Sequence, residues 1–214
     1  RNHGRAFADK GFLVAAVGYR LSTEAKFPAA VHDCKAAIRW LRAHANKLNV
    51  KPDKIGIVGG SAGAHLASLV STSSQIKELE GDGGNASFSS AVQVAVNWAG
   101  PVNNYEKFTA ADAPKPSQAP LLFFGGTVKE FPEVYKLASP NTHIDKNTPP
   151  QLLVDSEFDA PKGRYTTMQK KLDALGIHHE YLNIKGGKHG CWNRDPWFSE
   201  YINKTSIFLT KYLK

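Results

Sequence analysis

Long apolar runs, blocks of like charge and closely spaced cysteines are all missing from this chain of 214 residues. No stretch approaches the roughly 18 consecutive apolar residues of a membrane span. No secretory signal is visible near the start, which reads Arg1 rather than Met. The two cysteines, Cys34 and Cys191, are far apart and lack metal-ligand spacing, so they read as free thiols and leave the compartment open. The net charge is +8, yet Lys and Arg are scattered, with no run of about five or six like charges to mark a nucleic-acid arm. A solvated basic surface is expected, with no nucleic-acid partner. Internal repeats, low-complexity tracts and domain-splitting linkers are also missing. At 42% hydrophobic and 21% charged residues, the composition fits an ordered fold. One domain over residues 1–214 is expected.

What is present is an alternation of two patterns. "FLVAAVGYRL" (12–21), "KIGIVG" (54–59), "AVQVAVNWAG" (91–100) and "PPQLLVDSE" (149–157) are short apolar runs, as in parallel strands buried on both faces. "HHEYLNIKG" (178–186) is a further strand candidate. Between them, 28–48, the stretch from Ser61, 162–176 and 197–214 carry apolar residues at helical spacing. Strand and helix in alternation imply right-handed crossovers and a mostly parallel sheet sandwiched by helices. The exception is 101–148, rich in Pro, Asn, Lys and Gly, with one helical candidate at 131–140. A connection this long is expected to form a wall of a substrate site.

The stretch "KIGIVGGSAGAHLAS" (54–68) crowds Gly59, Gly60 and Gly63 around Ser61. It fits G-x-S-x-G between a strand and a helix, where a serine at the apex of a tight turn holds its hydroxyl clear of the sheet. The amide of Ala62 then stands at a helix start, placed to receive an oxyanion. A phosphate-binding glycine turn is the bland alternative. It is disfavoured because no Lys-Ser/Thr follows the glycines and the spacing fails G-x-G-x-x-G.

A serine nucleophile needs a base and an orienting acid, which follow it in chain order in this type of fold. "LLVDSEFDAP" offers Asp155, Glu157 and Asp159. The first two fall at the strand end, whereas Asp159 lies in the loop beyond it and is the preferred acid, with Glu157 next. "IKGGKHGCW" offers His189 in a glycine-flanked loop after the last strand. Of eight histidines it alone occupies the expected place. His65, one turn past Ser61, is expected to pack, and Lys188 to point into solvent.

These motifs resemble the α/β-hydrolase superfamily, in particular the esterase/lipase group that includes acetyl xylan esterases and related carbohydrate esterases. The similarity covers the block "GYRLSTEAKFPAAVHDCKAAIRWLRAHANKLNVKPDKIGIVGGSAGAHLASL" (18–69), the segment "ASPNTHIDKNTPPQLLVDSEFD" (138–159) and "GGKHG" (186–190). It implies Ser61 as nucleophile, Asp159 as acid and His189 as base, matching the assignment from strand order. In that family a His-Gly-Gly-type loop after an earlier strand supplies a second oxyanion amide, shortly before a segment like "RNHGRAFADKGF". This chain opens at that segment, so the loop and its strands are expected to lie outside these residues, the chain being a fragment or processed part. A naturally shortened, inactive member is the alternative.

The expected function is a serine carboxylester hydrolase with no metal or organic cofactor, acting on a small-molecule or carbohydrate ester with a short acyl group, acetate foremost. A plant or algal polysaccharide ester is one expected substrate. Trp192, Trp197 and Tyr105 are the candidate sugar-stacking residues, and packing of these rings against the core is the alternative. A silent hydrolase-fold binding module and a peptidase on the same fold are the competing functions. "GDGGNASFSS" (81–90) lacks the repeated carboxylates of a calcium loop and reads as a surface turn.

Overall fold

A strand finds a place only where a neighbour can satisfy its backbone, and four of the five strand candidates do so. The computed structural model describes residues 2–159 and 162–214. Among them β1 (Gly56–Gly60), β2 (Val94–Trp98), β3 (Gln151–Ser156) and β4 (His179–Ile184) form a parallel sheet in the order β1-β2-β3-β4. Ile57 lies beside Ala95, Ala95 beside Gln151, and Gln151 beside His179. The central strands β2 and β3 are buried along their whole length, which is why they read as unbroken apolar runs. The edge strand β4 alternates partly exposed polar residues with Leu182 and Ile184.

Helices cover both faces. On one, α1 (Asn2–Ala8) and α9 (Trp197–Leu213) bring Phe7, Tyr201, Phe208 and Leu209 against Leu152 and Val154 of β3. On the other, Leu153 meets Met168 and Leu172 of α8 (Thr166–Ala174), as the two-residue period of a strand requires. A further apolar cluster joins Val31 and Ile38 of α2 (Ala29–Ala43) to Leu66, Leu69 and Val70 of α4 (Ala62–Thr72). The helix expected over 28–48 breaks at His44, and α3 (Ala45–Leu48) closes on Asn49 in a left-handed conformation. Cys34 and Cys191 are free and buried. No helix among the described residues is long and apolar enough to cross a membrane.

The run 12–21 departs from expectation: it forms no strand. A cavity of about 1070 Å³, lined by residues that include Val14, Ala16, Ile57 and Gly59, lies between it and β1. Without a hydrogen-bonding neighbour the segment has no ladder, and Leu13, Val14, Val17 and Leu21 stay exposed. Apolar character alone does not make a strand.

The connection 101–148 holds more helix than its composition suggests: α5 (Asn104–Thr109), α6 (Gln118–Phe124), α7 (Pro132–Leu137) and a 3-10 turn at Pro140–Thr142. His65 of α4 pins it by donating from Nε2 to the Ala138 carbonyl at 2.7 Å. Burial pushes the His65 imidazole below its ordinary value, so it packs neutral.

Candidate active site

The tight turn after β1 follows from what a side chain would strike there. A Cβ on Gly59 would lie 2.1 Å from the Gly63 carbonyl oxygen, in the first turn of α4. Glycine is what lets the helix start so close to the strand. A Cβ on Gly63 would meet nothing within 4 Å, so the crowding is one-sided. Ser61 sits between them at φ 55°, ψ −119°, a conformation that costs a non-glycine residue of order 1–3 kcal/mol. Its amide donates to the Trp98 carbonyl at 2.8 Å, and its own carbonyl accepts the amides of Ala64 and His65. Gly59→Ala is expected to lower unfolding free energy by about 1–3 kcal/mol, while Gly63→Ala changes it by about 1 kcal/mol or less, in the stabilising direction. Denaturant unfolding of the two variants checks the asymmetry.

Ser61, Asp159 and His189 come from three loops at the carboxyl ends of β1, β3 and β4, and the parallel sheet points all three ends the same way. Ser61 Oγ lies 2.9 Å from His189 Nε2, and His189 Nδ1 lies 2.9 Å from Asp159 Oδ2. An ionised carboxylate only accepts, so Nδ1–H donates to Asp159, leaving Nε2 to accept the serine hydroxyl. The Asp159 side chain is 5% exposed and the His189 side chain 47%, so the carboxylate is enclosed while the imidazole faces the solvent side.

The two loops that carry Asp159 and His189 are fastened to each other. Phe158 donates its amide to the Gly187 carbonyl at 2.8 Å, and Glu157 to the Ile184 carbonyl at 2.9 Å. Gly187 is pressed so closely on Ser156 and Cys191 that a Cβ would lie 2.8 Å from the Cys191 sulfur. Gly186 beside it is not crowded but sits at φ 68°, which glycine adopts freely.

The other carboxylates of the segment are engaged elsewhere. Glu157 accepts the Gly186 amide at 2.8 Å, a hydrogen bond that lowers its carboxyl pKa, and faces Lys185. Asp155 takes the guanidinium of Arg164, Nε to Oδ1 at 2.9 Å. Burial pushes Asp155 above the usual carboxylate range, against the pull of that guanidinium. Arg164 also reaches Asp159, with Nη2 at 3.3 Å from Oδ1. No spacing rule singles out Arg164 in the sequence, because its partners are supplied by two different strand ends.

Ala62 is exposed and is the first residue of α4, where amides have no intrahelical acceptor. Lys188 is exposed. The aromatic residues expected to meet substrate are placed by packing. Trp192 is only 6% exposed, inside the core formed with Trp98 and Tyr201, and its ring meets His189 edge-on at 5.1 Å. Packing of this ring against the core, the alternative to sugar stacking, is the arrangement seen for Trp192. Trp197 is half-buried and donates its indole N–H to the Lys185 carbonyl. Tyr105 packs against the α2–α4 cluster, with the Lys136 ammonium 5.1 Å from its ring centre.

A serine, an imidazole and a buried carboxylate in hydrogen-bonded sequence on this sheet invite comparison with known proteins. The BD-FAE family model matches residues 1–163. The chain belongs to the BD-FAE family. Among solved structures, this BD-FAE member is similar to a bifunctional GH43-CE protein of Bacteroides eggerthii, with a TM-score of 0.87 and 34% identity. That match covers 98% of this chain and 30% of the other. A truncated carbohydrate esterase from gut microbiota matches with a TM-score of 0.78 and 30% identity, over 90% of this chain and 71% of that one. Esterase LipC of Mycobacterium tuberculosis is 26% identical over 192 residues, 86% of this chain and 46% of LipC. The chain thus spans less than half the length of that curated relative. Its sheet and flanking helices are those of the α/β-hydrolase fold.

Proposed function

We propose that the chain is a serine carboxylester hydrolase. The observation that carries this is the unbroken hydrogen-bonded line from the Ser61 hydroxyl through His189 to Asp159. His189 Nε2 takes the hydroxyl proton as Ser61 Oγ attacks the ester carbonyl, and Asp159 stabilises the imidazolium that results. The Ala62 amide, aided by the start of α4, receives the oxyanion of the tetrahedral intermediate. The alcohol departs with the proton held on His189. Water, activated by the same imidazole, then attacks the acyl-serine and frees the acid.

Similarity to a carbohydrate esterase and to a GH43-CE protein supports a carbohydrate ester as substrate. A short acyl group, acetate foremost, is the proposed leaving acid.

Two measurements test the proposal together. The chain is expected to hydrolyse p-nitrophenyl acetate but not a peptide anilide, and a fluorophosphonate probe is expected to label Ser61. Peptide cleavage without ester cleavage replaces esterase by peptidase. Absence of labelling, with the fold intact by circular dichroism, replaces it by a silent binding module.

A further inference from the structure

Behind the acid lies a buried charge cluster that the three-residue line does not use. Asp155 and Asp159 carry two enclosed carboxylates, their side chains 8% and 5% exposed, with the guanidinium of Arg164 between them on a side chain 7% exposed. Each of its nitrogens is directed. Nε donates to Asp155 Oδ1 at 2.9 Å, Nη1 to the Ala99 carbonyl at 2.8 Å, and Nη2 faces Asp159 Oδ1 at 3.3 Å. Asp155 is the penultimate residue of β3, Ala99 follows β2, and Arg164 precedes α8. One planar group therefore ties three segments whose relative placement sets where Asp159 stands.

The two oxygens of Asp159 are divided between partners: Oδ2 faces His189 and Oδ1 faces Arg164. A carboxylate held on one oxygen cannot rotate freely about its Cβ–Cγ bond, so the other oxygen keeps its aim. We infer that Arg164, anchored by Asp155 and the Ala99 carbonyl, is a positioning residue that holds Asp159 in line with His189.

Charge points the same way. Two neighbouring buried carboxylates repel, and one becomes easily protonated unless a cation sits between them. The burial that pushes Asp155 upward, opposed by Arg164, shows how enclosed the cluster is. Lysine does not replace the fork, because an ammonium is a point donor while the guanidinium presents fixed parallel N–H groups. The groups facing the cluster are Lys162, which also donates to the Glu157 carbonyl, Tyr165 from the start of α8, Tyr181 from β4 and Tyr201 from α9.

This role rests on the proposed ester hydrolysis, and the experiment separates the two. Arg164→Met, Arg164→Lys and the double variant Asp155→Asn with Arg164→Met are compared with the parent on p-nitrophenyl acetate across pH. The double variant serves because Arg164→Met alone strands a buried carboxylate and threatens folding. Arg164→Met and the double variant are expected to lose about ten- to a hundredfold in kcat, as misplacement of a catalytic group does, with KM little changed. The acid limb of Arg164→Met is expected to move up, since removing a cation beside the Asp159–His189 pair favours its protonated form, whereas the double variant sheds one charge of each sign and keeps its acid limb near the parental position. Arg164→Lys is expected to return the acid limb to the parental position while recovering only part of kcat. Parental kcat in the folded double variant overturns the role, as does a loss of kcat in Arg164→Met with an unmoved acid limb and no rescue by lysine. A parent without ester hydrolysis overturns the esterase proposal itself and takes the positioning role with it.

Discussion

Asp159→Asn is expected to lower kcat on p-nitrophenyl acetate by about ten thousandfold, the size of effect seen when a triad acid becomes an amide. The reason is the proton count. The carboxylate accepts from His189 Nδ1–H and so keeps Nε2 free to accept the serine proton. An amide NH₂ turned toward the ring reverses that tautomer, and a neutral amide does not stabilise the imidazolium. No neighbouring carboxylate is placed to substitute, since Glu157 is engaged at Gly186 and Asp155 at Arg164. Thermal unfolding is expected within about 4 °C of the parent, which corresponds to roughly 1 kcal/mol in a chain of this size. Near-parental turnover would move the acid role to Glu157 or Asp155.

The second large effect lies far from the chemistry, where α2 packs on the segment that follows α4. Lys35 and Arg39 have side chains 0% and 3% exposed, and both rest on Glu80. Lys35 Nζ lies 2.8 Å from Glu80 Oε1 and donates to the Ser73 carbonyl, while Arg39 Nη1 lies 2.9 Å from Oε2 and Nε reaches the Gly84 carbonyl. Ser90 also donates to Glu80. Glu80→Ala therefore leaves two buried cations without their carboxylate. Breaking a buried pair costs about 3–5 kcal/mol. The Glu80 side chain is 32% exposed, which argues for the lower end, about 3 kcal/mol, a fall of roughly 6–12 °C in Tm. Lys35→Met in the same background is expected to restore part of it by removing one stranded charge. A fall below about 1 kcal/mol in denaturant unfolding would show the cluster to be incidental.

The same pair fixes a pH dependence. Burial raises the Glu80 carboxyl, but the Lys35 and Ser90 hydrogen bonds and the two cations outweigh it and hold it below the ordinary glutamate value. A carboxylate lowered on folding binds protons less readily than its unfolded form, so its contribution is present above about pH 4.5 and fades as pH falls through the folded value. Glu80→Gln is thus expected to be less stable than the parent near neutrality and to converge with it in acid.

How much of this was legible in the sequence depended on how local each feature is. The turn at Ser61 is written in Gly59, because the clash it avoids involves residues four apart in the chain. Strand order and loop position brought Ser61, Asp159 and His189 into consideration together, since parallel strands present all their carboxyl ends on one side. The core runs of β2 and β3 read correctly because burial on both faces leaves no alternation. By contrast, 12–21 has the same apolar character and forms no strand, because pairing depends on a neighbour and not on composition.

By itself, then, the sequence determined the elements whose causes are close in the chain: the strained serine turn, the helix faces, the glycines that admit close approach. Tertiary structure alone decided that Trp192 is enclosed against Trp98 and Tyr201 beside the imidazole, and that Arg164 joins two buried acids. Those choices turn on ring packing between residues far apart in the chain in one case, and on the divided contacts of a single guanidinium in the other. Spacing along a chain carries no record of either.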